Sequence, residues 1–140
     1  MNPLPALAAV IAGEVHVTFS NLSVALPQVR SGRLRGVAVT TLKRAAALPE
    51  VPTVAESGLP GFEATAWVAM VAPRATPRAI VQRVNTDIRA ELSDQDMIAQ
   101  LAAQGLEPAG GTPEALGQHI RAEVERWRRV IRDADVRAQN

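Results

Sequence analysis

The sequence predicts an α/β fold on three observations. Residues 15 to 39, "VHVTFSNLSVALPQVRSGRLRGVAV", read as strand, helix, strand. A second strand-like run, "AWVAMVAP" at 66 to 73, stops at a proline. The remainder is a series of amphipathic helices with marked starts and stops.

In the first unit, Val15, Val17 and Phe19 alternate with His16, Thr18 and Ser20, the two-residue period of a strand with one apolar face. Asn21 and Ser23 are both capable of capping the helix that follows, to which Leu22, Val24, Ala25, Leu26 and Val29 give an apolar side. Pro27 keeps that helix short or bent, because an interior proline forfeits a hydrogen bond. Ser31-Gly32 ends it, with Gly32 suited to the left-handed cap position. "LRGVAVTT" is then nearly continuous in apolar residues, as in a parallel strand covered on both faces. Two parallel strands joined by a helix form a right-handed crossover. Ligands in such sheets sit beyond the carboxyl ends of the strands, where Ser20, Asn21, Leu22 and Ser23 fall. That junction is the leading candidate site.

Ahead of this unit, "MNPLPALAAVIA" predicts an amphipathic helix from Pro5 to Ala12, closed by Gly13. A signal-peptide core fits poorly, because no Lys or Arg precedes it and Pro3 and Pro5 interrupt it. Between 42 and 67, the prolines at 49, 52 and 60 and the glycines at 58 and 61 mark a connection with one helical turn near Thr53 to Ser57. A boundary is placed near Glu63 to Ala66. Thr76-Pro77 predicts an N-cap followed by proline in the first helical position, and Ile80, Val84, Ile88 and Leu92 form one buried stripe beyond it. Ser93 with Asp96 resembles a capping box, and Gly105 closes the next helix after Met97, Ile98 and Leu101. Leu106 to Pro108 is read as a short strand. Thr112-Pro113 repeats the cap-and-proline device before a stripe of Leu116, Ile120, Val124, Trp127 and Ile131. "TPRAIVQRV" and "TPEALGQHI" lie 36 residues apart, but shared capping chemistry accounts for their likeness without a structural repeat.

Composition excludes several functions. Fifteen basic and fourteen acidic residues leave +1, without the concentrated basic face that nucleic-acid binding requires. The absence of cysteine removes disulfides and thiolate metal sites. His16 and His119 have no partner at metal-ligand spacing and read as surface or packing histidines. Ser57 in "AESGL" lacks the nucleophile elbow, and Gly110-Gly111 lacks the Lys-Ser/Thr of a phosphate loop. "RWRRVIR" is bracketed by Glu123, Glu125, Asp133 and Asp135 and reads as a solvated helix face. At Ser20 to Ser23, free amides and the positive helix end favour an anion, although the residue pattern by itself favours Asn21 or Ser23 serving only as a cap for its own helix.

With these residues in view, the chain resembles the carboxyl-terminal half of a Bug-type receptor, the extracytoplasmic solute-binding protein of tripartite tricarboxylate transporters. The likeness runs through "GEVHVTFSNLSVALPQVRSGRLRGVAVTT", "LPEVPTVAESGLPGFEA" with the Trp67 segment, "ATPRAIVQRVNTDI" and "LAAQGLEPAGGTPEALGQHIRAEVERWRRVI". It implies a periplasmic-binding-protein-like, two-lobe, type II-like α/β fold, of which this chain is an incomplete carboxyl-terminal portion. Residues 1–64 would then belong to the second lobe and 65–140 to the carboxyl-terminal part of the first. The resemblance implies a periplasmic receptor closing on a small carboxylate (a dicarboxylate, amino acid or aromatic acid), working with the transporter's membrane subunits, without catalysis or cofactor. The family's "F-[DS]-N" junction falls on Phe19, Ser20 and Asn21, and Ser20 stands where Asp is frequent. Thr65 and Trp67 are carried over as the segment passing between lobes. The missing amino-terminal half implies exposed apolar faces and self-association. The alternative is a helical protein–protein interaction module built on residues 74 to 140, with no small-molecule ligand.

Overall fold

The computed structural model describes residues 4 to 136. Met1 to Pro3, which open the stretch compared above with a signal peptide, lie outside the described residues. Five helices form: α1 (Leu4–Ile11), α2 (Leu22–Arg30), α3 (Arg78–Glu91), α4 (Gln95–Ala103) and α5 (Pro113–Asp133). They divide between two units, Met1–Val71 with Asp94–Pro108, and Ala72–Ser93 with Ala109–Asn140.

In the first unit the helix stops match their glycines. Gly13 and Gly105 have φ of 77° and 72°, and each ends its helix in a paired closure. After α4, the Gly105 N–H donates to Ala102 O (3.0 Å) and the Leu106 N–H to Leu101 O (2.9 Å). Leu106 therefore completes the cap of α4, and the short strand expected at 106–108 is not formed among the described residues. Gly32, at φ 73°, follows α2 as expected. Pro27 lies inside that nine-residue helix, whose Leu26 is its one fully buried side chain. Leu26 packs with Leu48 and Val51, and Leu22, Val29, Val39 and Ala47 close around them.

The strands are the main departure. Residues 15–20, 34–38 and 66–73 belong to no ladder among the described residues; one parallel bridge, Val39 to Thr53, is present. A strand pattern specifies which face is apolar, but a strand also needs a neighbour for its N–H and C=O groups. The crossover unit expected from 15 to 39 accordingly survives as its central helix. Phe19 is 84% exposed and Val68 is 100% exposed, where the strand reading buries both. His16, expected on the far side of a sheet, is simply exposed.

The Val39–Thr53 bridge is held from both sides. Val39 N–H donates to Pro52 O and Val54 N–H donates to Val39 O, both at 2.9 Å. Fully buried Thr53 starts the expected turn through a reciprocal box. Its N–H donates to Glu56 Oε2 (2.8 Å), and the Glu56 N–H donates to Thr53 Oγ1 (3.0 Å). Arg44 Nε donates to both carboxylate oxygens of Glu56, at 2.9 and 3.3 Å, while Nη1 reaches Pro49 O at 3.2 Å. The Thr53 amide, and after it the Arg44 guanidinium, hold the Glu56 carboxyl below its ordinary range.

In the second unit α3 packs against α5. Thr112 caps α5, its Oγ1 accepting from the Ala115 N–H (3.1 Å), with Pro113 first in the helix as expected. The matching expectation at Thr76 fails. Pro77, with ψ at 136°, is itself the N-cap, so α3 starts one residue later at Arg78 without a side-chain cap. The Ser93 box is also corrected: Asp94 caps α4, accepting from Asp96 and Met97 amides at 3.0 Å each. Its charged carboxylate is the stronger acceptor, and the Ser93 hydroxyl instead donates to Arg89 O (2.8 Å). The stripes of α3 and α5 run where expected but contain no buried residue; Ile80 is 54% exposed and Ile131 49%. In the basic run of α5, Trp127 Nε1 and Arg126 Nη1 both donate to Glu123, at 3.0 and 3.4 Å, so its aromatic and one of its cations are tied down within the helix.

Two consequences are measurable. Leu26→Ala should cost about 2–5 kcal/mol in denaturant unfolding followed by helical circular dichroism, because α2 has no other fully buried anchor. The Glu56 pKa is depressed on folding, so its contribution is present above the unfolded value near 4.5 and is lost as pH falls through the lower folded value. In an NMR titration the Thr53 amide should report a midpoint below 4.5, and Glu56→Gln should abolish that titration. A midpoint at or above 4.5 would contradict the brace.

Candidate functional site

The junction Ser20 to Ser23 is formed by the chain entering α2. Asn21 occupies the N-cap position with φ −60° and ψ 136°, yet its side chain makes no cap hydrogen bond. Its carbonyl accepts from Val24 (3.0 Å) and Ala25 (3.1 Å), which satisfies those amides from within. The Leu22 and Ser23 amides lie one turn too early for an intrahelical acceptor and point out of the helix end. Ser23 is inside the helix at its second position, so it is not the cap either. The capping role left open by the residue pattern is thus filled by neither side chain.

Asn21 is exposed and Ser20 and Ser23 are half-buried, so the junction is accessible rather than sealed in the core. The Ser20 hydroxyl has only a long contact of 3.5 Å to Asn21 O. Leu22 differs from its neighbours. Its side chain packs against the Leu26–Leu48–Val51 cluster, and only its backbone amide, in the first helical turn, is placed to take part in binding. Behind it lies the end of α4: a Cβ added to Gly105 would stand 2.8 Å from Leu22 Cγ. A hollow of only about 20 Å³ remains there, bordered by Leu22, Ala45 to Ala47 and Gly105. The start of α2 is therefore set from behind by close packing and open in front.

Of the other sequence-derived residues, Thr65 is half-buried and Trp67 43% exposed. Neither borders that hollow. They follow Ala64, whose N–H donates to Thr40 O at 2.9 Å, so the braced 39–56 segment anchors the chain just ahead of them. A wider hollow of about 480 Å³ lies in the second unit between α3 and the start of α5. Two of its polar pairs are engaged: Arg78 with Glu114 at 3.4 Å, and Asn85 Nδ2 donating to Gly111 O at 2.8 Å. None of the sequence-derived site residues borders it. Among the described residues, no group of three or more His, Asp or Glu side chains is placed to hold a metal ion. Sequence reasoning missed the Arg44–Glu56 pair; the Thr53-x-x-Glu56 spacing was its readable signal.

Comparisons with known proteins agree on one family. The model for the tripartite tricarboxylate transporter family receptor matches residues 3–136. A UPF0065 protein from the tcbD-tcbE intergenic region of Pseudomonas sp. (strain P51) is 38% identical over 128 residues, spanning 91% of this chain and 38% of that protein. Protein BugT of Bordetella pertussis is 35% identical over 129 residues, spanning 92% and 40%. Among solved structures, R. palustris Rpa4515 with adipate is 39% identical with a TM-score of 0.87, over 96% of this chain and 45% of that one. MatC of Rhodopseudomonas palustris, with bound malate, is 32% identical at a TM-score of 0.77, over 91% and 44%. The periplasmic binding protein BugD gives 29% and 0.79, over 99% and 47%. The chain thus spans less than half the length of these relatives, and its fold is the corresponding portion of a periplasmic binding protein. It belongs to the receptor family of the tripartite tricarboxylate transporters, among the Bug-type proteins.

Proposed function

We propose that this chain forms one wall of a solute receptor that captures a small carboxylate (a dicarboxylate, amino acid or aromatic acid) in the periplasm for the membrane subunits of a tripartite transporter. Binding is its whole activity, and no cofactor takes part. Residues 1–64 belong to the second lobe of that receptor and 65–140 to the first. The observation that carries the reading is the uncapped, accessible start of α2. Two outward amides, a helix dipole and three short polar side chains suit a carboxylate held by hydrogen bonds without a cationic partner. Ser20, Asn21 and Ser23 supply side-chain bonds, Leu22 its amide, and Thr65 and Trp67 contribute from the segment that passes between the lobes. Relatives of the same fold carry adipate and malate, which supports a carboxylate as the solute class.

With one wall present, calorimetry of this chain against a panel of dicarboxylates and amino acids should show at most weak binding. Micromolar affinity in a proven monomer would refute that division of the site. In a full-length receptor carrying this portion, replacing Asn21 and Ser23 together by alanine should weaken carboxylate binding about ten- to a hundredfold, from hydrogen bonds to a charged acceptor. Stability should hardly change, since Asn21 caps nothing. Undiminished binding would place the solute elsewhere than at the start of α2, and no carboxylate binding by the parent receptor at all would favour the helical interaction module.

A further inference from the structure

We propose that Arg44 and Glu56 are positioning residues for the segment from Ala64 to Trp67: their ion pair fixes the turn on which that segment is hung, and so sets where Thr65 and Trp67 stand. The role rests on the receptor reading above, which gives Thr65 and Trp67 to the solute. The geometry lies wholly within the first unit. Val39 N–H donates to Pro52 O and Val39 O accepts from the Val54 N–H, while the next carbonyl, Thr40 O, accepts from the Ala64 N–H, all at 2.9 Å. Val39 also packs against the Leu26 cluster, as Leu22 does. One two-residue stretch therefore bears on both parts of the proposed site, the core beneath the start of α2 and the residue just before Thr65.

The chain between Thr53 and Ala64 is tied back step by step. Ser57 N–H and Oγ donate to Thr53 O at 3.1 and 2.8 Å, Leu59 N–H to Val54 O at 3.4 Å, and Phe62 N–H to Leu59 O at 3.0 Å. Gly58 and Gly61, with φ of 119° and 78°, allow the reversals this needs. Whatever grips Thr53 thus decides where the chain arrives at Ala64. Glu56 grips it through the Thr53 amide, and Arg44 Nε holds both carboxylate oxygens in the orientation that accepts that amide. The Arg44 and Glu56 side chains are 45% and 47% exposed, and an ion pair this open contributes little to overall stability. Its effect is therefore local, on the aim of the carboxylate and on what hangs from Thr53.

The test uses the whole chain with Trp127→Phe, which leaves Trp67 as its one tryptophan. In that background Arg44→Met should raise acrylamide quenching of Trp67 and quicken amide exchange at Ala64 about tenfold or more, through local opening, with a smaller change at Leu26 in α2. Glu56→Gln, which keeps an acceptor for the Thr53 amide and loses the charge, should do the same. The double variant should go little beyond the larger single effect, because both substitutions remove one interaction. Unchanged Ala64 exchange and Trp67 quenching in Arg44→Met would overturn the proposal. So would equal quickening at Ala64 and Leu26, the mark of general loosening, or full additivity of the two substitutions. No solute is added, so failure of the carboxylate reading would leave this result intact, and failure here would leave that reading to its own calorimetry.

Discussion

The bridge between Val39 and Thr53 is the constraint on which the first unit depends. It joins segments fourteen positions apart, and closing that loop costs chain entropy which one backbone pair does not offset alone. Glu56 makes it persist. Its carboxylate accepts the Thr53 amide and the Arg44 guanidinium together, so the turn after the bridge and the loop before it are gripped by one group. With Thr53 fixed, Val51 and Leu48 are brought under α2 and meet Leu26. The core is small, and its position follows from a polar brace at its edge.

That placement determines what α2 can do at its start. Leu22 is pressed between the core cluster and Gly105, so the first turn cannot tip toward the protein to find acceptors for its own amides. They stay outward, where an anion is the natural partner. Ser20, Asn21 and Ser23 are uncharged, so the junction's own side chains bring no negative charge against an anion there. Selectivity in such a site comes from the shape and spacing of hydrogen bonds more than from Coulomb attraction.

What could be read from the residues depended on whether the cause was local. Helix ends were legible at Thr112, Gly13, Gly32 and Gly105, because a cap is decided within about one turn. At 93–94 the same logic had two contenders, and the carboxylate of Asp94 displaced the hydroxyl of Ser93. At Thr76 the misreading was one position wide: proline's fixed φ serves equally well just outside a helix, and ψ decides. The strands were legible in pattern and absent as ladders. Alternation fixes a face, whereas pairing depends on a partner strand whose position the local pattern does not specify. The candidate junction was visible as a cluster of short polar residues, but whether Asn21 capped its helix needed coordinates.

The two kinds of departure have a common origin. The stripes of α3 and α5 and the apolar runs at 15–19 and 66–71 all encode burial that is not realised among the described residues. A sequence keeps such a pattern only where water is to be excluded, since bare valine and phenylalanine favour non-specific association and bring no gain in stability. The brace at Glu56 and the cluster at Leu26 are satisfied locally and make no such demand. The contacts around α2 are thus made within the first unit, whereas the stripes and the apolar runs keep much of their apolar surface exposed.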